Sequence, residues 1–213
     1  MADDFLGKKM EEYRTRTTAN SSHKLVTMSK LLAKNRSYRG YDPHFVVRED
    51  QLRRIVEVNT KIPSARNQQV LRFRLVLSDE AHKVLPHIHL GGALPELHLP
   101  LQGTEPHAFI IICSTVDEDR YVDMDLGISA QSMLLQAAEI GLNGICIGAF
   151  DRERIQQEFG LKLTPLLILA LGKGNEKIEL VTIGANDDHR YYRTAGIHYV
   201  PKVALSDLLL DAE

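Results

Sequence analysis

The sequence contains no tryptophan, only two cysteines among 213 residues, and 6% aromatic residues. Two cysteines cannot build a disulfide framework, and a chain of this length buries enough core to fold without one. Cys113 and Cys146 both stand among apolar neighbours and are expected to be reduced, buried small hydrophobes. A charge excess is also lacking. Basic residues number 26 and acidic residues 28, a net charge of -2 that argues against a general binder of nucleic acid or anionic membrane. Long apolar runs are absent as well: Phe109 to Cys113 and Leu166 to Leu171 are far too short to cross a bilayer. The start, Met1-Ala2-Asp3-Asp4, is acidic and has no apolar segment behind it, so a cytoplasmic protein is expected.

What remains is the composition of an ordinary globular protein, 44% hydrophobic and 25% charged. No repeat, low-complexity tract or Pro/Gly/Ser-rich linker divides it. The expected organisation is a helical arm over residues 1–30 and one domain over 31–213. The arm is rich in Lys and Arg, with one helix expected from Asp3 to about Thr18. A second runs from about Ser22 to Lys34 and carries Leu25, Met28, Leu31 and Leu32 on one face.

Further along, Leu52, Ile55, Val56 and Asn59 have helical spacing, with Pro63 shortly after. Leu71, Phe73, Leu75 and Leu77 alternate like a strand with one buried face, whereas Phe109 to Cys113 is apolar on both faces and reads as a central strand. Asp125 to Gly141 predicts a helix apolar nearly all round, buried centrally or against another subunit. A strand over Asn143 to Gly148, a helix over Arg152 to Phe159 capped by Asp151, and a strand over Leu166 to Leu171 follow. A last helix is expected from about Ser206 to Leu210. The irregular alternation favours an α+β layer fold over a doubly wound sheet.

Three segments are suited to chemistry. In Arg36-Ser37-Tyr38-Arg39, two guanidiniums flank a hydroxyl, a set that matches phosphate oxygens and equally suits a solvated helix end. In Pro63-Ser64-Ala65-Arg66-Asn67-Gln68-Gln69, a turn exposes backbone while Asn67 and Gln69 offer amides fit to read a flat heterocycle; a plain polar turn has the same composition. In Ile147-Gly148-Ala149, small side chains let a ring approach the backbone, or simply serve a tight strand-to-helix connection.

Taken in order, these segments resemble the FMN-dependent nitroreductase family from about Leu31 to Leu210. The resemblance also rests on Asp125-Leu126-Gly127, Ala137-Ala138-Glu139-Ile140-Gly141-Leu142, Leu169-Ala170-Leu171-Gly172 and Val200-Pro201-Lys202. It implies a homodimeric α+β fold with a mostly antiparallel central sheet flanked by helices, and one FMN at each subunit interface. It further implies an enzyme that moves hydride from NAD(P)H through FMN to a small electron-poor acceptor, such as a nitroaromatic or quinone, by a ping-pong scheme. By that resemblance Arg36, Ser37, Arg39 and Lys202 would hold the phosphate and ribityl chain. Asn67, with Gln69 and the Pro63-Ser64 turn, would meet the flavin's pyrimidine edge, and the peptide groups of Ile147, Gly148 and Ala149 would lie beside the ring.

The chain departs from the family at Gln69-Val70-Leu71, where many relatives have Pro-Trp, at Gly172-Lys173-Gly174, and at Val203, where a second basic residue is common. An alternative is therefore a flavin-binding protein with little turnover. His82, His87, His89, His98 and His107 raise another, a metal-binding module, although the Gly- and Pro-rich stretch that holds them reads as a loop.

Overall fold

The computed structural model describes residues 26–92, 94 and 97–210. The helix expected from Asp3 to Thr18, and the start of the next one with Leu25, lie outside the described residues. Helix α1, Met28–Lys34, begins at Thr27, whose hydroxyl accepts the Lys30 N–H at 3.4 Å. Helix α2, Glu49–Glu57, buries Leu52 and Ile55 and puts Glu49 and Asp50 in its first turn, where the helix dipole favours acids.

The central sheet has four strands: β1 (Leu71–Val76), β2 (Ala108–Ser114), β3 (Asn143–Ile147) and β4 (Thr164–Gly172). They are ordered β1-β2-β4-β3, and every pairing is antiparallel. The apolar run of β2 is explained by cover on both sides. Ile110 and Ile112 pack with Leu52, Ile55 and Met133 on one face, while Phe109, Ile111 and Cys113 pack with Val84, Ile155 and Ile168 on the other. Burying each such side chain contributes about 1.5–3 kcal/mol.

Helix α3, Arg120–Glu139, is longer than its apolar pattern suggests. It starts at Asp119 because that carboxylate accepts the N–H groups of Tyr121 and Val122 at 2.9 and 2.8 Å. It stops at Gly141, which has a φ of 81°. Val122, Asp125, Ser129, Ala130, Met133, Leu134, Ala137 and Ala138 are buried, while Met124 and Ile128 on the other side are exposed. Helix α4, Arg152–Glu158, is capped by Asp151 through the Arg154 N–H at 3.0 Å, as expected.

Beyond β4 the sequence offered no strand, yet three form. Strands β5 (Lys177–Ile183), β6 (Tyr192–Thr194) and β7 (Ile197–Val203) make a second sheet in the order β5-β7-β6, with β5 parallel to β7. A short helix α5, Leu205–Leu208, follows.

Two expectations are corrected. Cys146 is exposed and only Cys113 is buried, because β3 is a sheet edge and Cys146 alternates outward between buried Ile145 and Ile147. The last helix comprises Leu205–Leu208, so Leu209 and Leu210 lie beyond it and are exposed. Among the described residues, no helix is long and apolar enough to cross a membrane.

Candidate functional site

The loop ahead of β1 is held in an unusual backbone conformation. Arg66, Asn67 and Gln69 take φ values of 53°, 54° and 47°, in the left-handed region that disfavours side chains. The restraint comes from α3. Buried Asp125 accepts the Ala65 peptide N–H at 2.6 Å and the Gln68 amide at 2.8 Å. Arg66 lies over the Tyr121 ring, 4.5 Å from its centre, and donates to the Tyr121 hydroxyl at 3.3 Å. The Ser64 hydroxyl accepts the Gln69 N–H at 3.3 Å, and the Gln69 amide donates to Asn67 Oδ1 at 3.1 Å. The outcome is a clamped loop whose Asn67 and Gln69 side chains are exposed.

This loop forms one wall of a cleft of about 850 Å³ between α2, β1 and α3. Pro63, Ser64, Gln69, Val70, Leu71 and Asp125 line it, and Arg53, Arg72 and Arg74 are matched there by the carboxylates of Glu49, Glu57 and Asp125. Neither Asp125 nor Ser129 was legible as a site residue. A carboxylate on the apolar face of a helix is the signal that marks Asp125.

Arg36, Ser37 and Arg39 lie elsewhere. Ser37 forms a parallel bridge with Gly144 at the start of β3, and the Tyr38 N–H donates to the Gly144 carbonyl at 3.2 Å. Arg36 returns its guanidinium to the Leu32 carbonyl at 2.5 Å, closing the end of α1, while its Nε is buried and, among the described residues, without a hydrogen-bond partner. Arg39 is buried. It donates to the Ser37 carbonyl at 3.1 Å, meets His198 Nε2 at 3.3 Å and lies 4.5 Å from the Tyr191 ring centre. The Arg39 and Gly40 N–H groups both bind Glu176 Oε2, and Glu176 pairs with Arg193 through its other oxygen. His198 is held well below its usual value, at about 4, first by burial and then by the charges of Arg39 and Arg193. Burial also raises Tyr41, whose hydroxyl donates to the Tyr38 carbonyl at 3.0 Å.

Ile147 is buried at the end of β3, and Gly148 and Ala149 after it are exposed. Among the described residues, apart from its chain neighbours, no atom lies within 4 Å of where a Gly148 side chain would begin, so the backbone there is open to a flat ligand. Lys202 is exposed on β7. It shares a face with His198 but lies four residues further on, about 13 Å along the strand. Within one chain, then, Pro63, Ser64 and Gln69 share a cleft that Arg36, Ser37, Arg39, Ile147, Gly148, Ala149 and Lys202 do not line. The first group lies at the β1 edge, whereas Ser37 and the Ile147-Gly148-Ala149 segment lie at the β3 edge, three strand spacings or about 14 Å across the sheet, and Lys202 is on the second sheet.

The histidines do not converge. His87 lies 4.0 Å from Glu158, and the His89 N–H binds the Ala149 carbonyl at 2.9 Å. Among the described residues, no three His, Cys, Asp or Glu side chains are grouped to hold a metal ion.

Comparisons with known proteins agree with this architecture. Residues 32–173 match the model of the nitroreductase family. A protein of Methanocaldococcus jannaschii assigned as a nitroreductase is 37% identical over 54 residues, 25% of this chain, and the match spans only 27% of that curated relative. Among solved structures, one from Exiguobacterium sibiricum, assigned as a nitroreductase and crystallised in complex with FMN, superposes with a TM-score of 0.59. It is 18% identical and covers 73% of this chain and 92% of its own. One from Staphylococcus epidermidis, assigned as an NAD(P)H:FMN oxidoreductase, gives 0.58 at 20% identity, covering 71% and 89%.

Proposed function

Because the chain belongs to the nitroreductase family, we propose that it is an FMN-dependent oxidoreductase drawing on NAD(P)H to reduce small electron-poor acceptors such as nitroaromatics or quinones. The observation that carries this reading is the clamped left-handed loop, which leaves the Asn67 and Gln69 amides exposed beside a cleft of about 850 Å³. Such backbone strain persists only where surrounding contacts hold it, and it clusters at ligand sites. The fit to FMN is supported further by the open backbone at Gly148 and by the buried, unpartnered Arg36 Nε. FMN-bearing and NAD(P)H:FMN relatives of the same fold point the same way.

On this reading Asn67 and Gln69 bind the pyrimidine edge of the flavin, with the Pro63-Ser64 turn beneath them. The peptide groups of Ile147, Gly148 and Ala149 would lie beside the ring, where their N–H donors would favour negative charge. Arg36, Ser37 and Arg39 serve the phosphate and ribityl chain, and Lys202 lends charge from β7. When bound, FMN supplies the hydride chemistry, and the protein supplies orientation and electrostatics. Nicotinamide and acceptor would use the one site in turn, which would give ping-pong kinetics.

The two halves of this site lie at opposite edges of the sheet, so we read the working form as a homodimer that joins the loop half of one copy to the arginine half of the other. The uncovered Met124 and Ile128 of α3 provide apolar surface for that contact.

The test is direct. Purified protein incubated with riboflavin 5′-phosphate should turn yellow, elute as a dimer, and bleach quickly on anaerobic addition of NADH or NADPH. A colourless monomer overturns the reading. A yellow protein that bleaches only over hours favours the second reading, a flavin binder with little turnover, for which the aliphatic Leu71 beside the cleft is the specific observation.

A further inference from the structure

Among the described residues, Asp125 is the one carboxylate of the large cleft that no cation touches. It is 3% exposed on α3, and each of its oxygens accepts from a neutral group, Oδ1 from the Ala65 N–H at 2.6 Å and Oδ2 from the Gln68 amide at 2.8 Å. Glu49 and Glu57, the other acids of the lining, pair with Arg53 at 2.6 Å and Lys61 at 3.1 Å. Arg74 is taken by Glu80 at 2.5 Å, and Arg72 donates to the Gln69 and Leu71 carbonyls at 2.9 and 2.8 Å.

Anchoring the loop does not require a charge. One turn further along α3, buried Ser129 holds Asn59 with a neutral hydroxyl, donating to its Oδ1 at 2.5 Å. A buried carboxylate carries a desolvation cost that a neutral acceptor avoids. Its field reaches whatever fills the cleft, because charge in a protein interior acts over several ångströms and is little screened by salt. Ala65 and Asn67 are two residues apart, so their Cα atoms lie within about 8 Å of one another. Asp125 lines the same cleft as Ser64 and Gln69.

We propose that Asp125 is a positioning residue with a second role, its fixed negative charge holding the reduction potential of the bound flavin low. The inference rests on the flavin reading above, which puts the Asn67 and Gln69 amides at the pyrimidine edge. Hydride transfer breaks a nicotinamide C–H bond and forms a flavin N–H bond, moving two electrons and one proton. The donor leaves as NAD(P)+, and one net negative charge is added at that pyrimidine edge. A carboxylate behind the loop opposes the added charge, as charge near the ring nitrogens does generally. Reduction is thereby made less favourable, and onward transfer to the acceptor more so.

The experiment compares wild type, Asp125→Asn and Gln68→Lys, each loaded with FMN. Asp125→Asn removes the charge and keeps an oxygen for the Ala65 N–H. Gln68→Lys keeps the carboxylate and sets an ammonium against it. Midpoint potentials are measured by equilibration with indicator dyes in the absence of oxygen, and affinity for oxidised FMN by fluorescence quenching. Both variants should raise the potential by about 30 mV, a tenfold shift in the ratio of reduced to oxidised flavin. Asp125→Asn should hold oxidised FMN within about threefold of wild type, since the loop keeps its anchor.

A potential that is unchanged or lowered in Asp125→Asn overturns the proposal, whatever happens to affinity, and leaves the residue a loop anchor. Should that variant fail to fold, Gln68→Lys decides in its place by the same criterion. Wild-type protein that takes up no FMN sinks the flavin reading and this inference with it. FMN bound at a potential the variants do not raise sinks this inference alone.

Discussion

Asp125 accepts the peptide N–H of Ala65 at 2.6 Å, so a carboxylate buried in α3 fixes a loop that lies 60 residues earlier in the chain. The same carboxylate takes the Gln68 amide at 2.8 Å. Loop conformation and helix placement are thereby one problem, which gives the first prediction.

Asp125→Ala leaves two donors without acceptors, at a cost of about 1–3 kcal/mol. Thermal unfolding should show a drop of roughly 2–4 °C per kcal/mol for a chain of this size. Asp125→Asn keeps an oxygen for Ala65, and Gln68 can turn its amide to match, so it should lose less than half as much. An Asn variant as weak as the Ala variant would show that the charge matters and the acceptor geometry does not.

Asn67 holds a φ of 54° with its side chain exposed. Glycine has no penalty there, so Asn67→Gly should melt at the same temperature or higher, by up to about 1 kcal/mol of stability. Flavin affinity, measured by fluorescence quenching, should fall about tenfold for the lost hydrogen bonds. A variant that keeps wild-type affinity removes Asn67 from the site.

Two glycines near β3 should behave in opposite ways. A Cβ on Gly144 would come within 2.7 Å of the Ala170 carbonyl and of Leu134, and 2.9 Å of Leu171. Gly144→Ala should therefore cost roughly 1–3 kcal/mol through overpacking. Gly148 faces open space. Gly148→Ala should fold normally and, if a ring lies there, bind flavin more weakly; chemical denaturation and flavin titration separate the two effects.

His198 links stability to pH. Its folded value of about 4 lies below the ordinary value of 6.5, so between those limits the unfolded chain binds more protons. Its contribution is complete above about pH 6.5 and is lost as the pH falls towards 4, on the order of 3 kcal/mol in all. Urea denaturation across this range should show a steeper loss in wild type than in His198→Gln.

The sequence was most readable where one physical signal dominated. β2 and β4 announced themselves by apolar runs covered on both faces, and α4 by its Asp151 cap. The first turn of α3 escaped because Val122 is its lone buried aliphatic side chain, although Asp119 marked its start. The second sheet escaped for a different reason: its strands are only partly buried, so Lys177–Ile183 and Ile197–Val203 show no clean alternation. For the candidate site, local composition singled out the loop at Pro63–Gln69. It could not reveal that Arg39 is buried against His198, a contact across 159 positions. Cys146 failed as a buried residue because edge-strand status depends on strand order, which no local pattern encodes.

That long separation bears on biogenesis. Arg39 emerges from the ribosome early, and its companions Glu176, Arg193 and His198 come 137 to 159 positions later. Until β7 has been synthesised, the guanidinium lacks the second-sheet residues that bury it. A nascent chain halted before that point carries every residue of the early arginine motif but lacks the enclosure that gives its charge meaning.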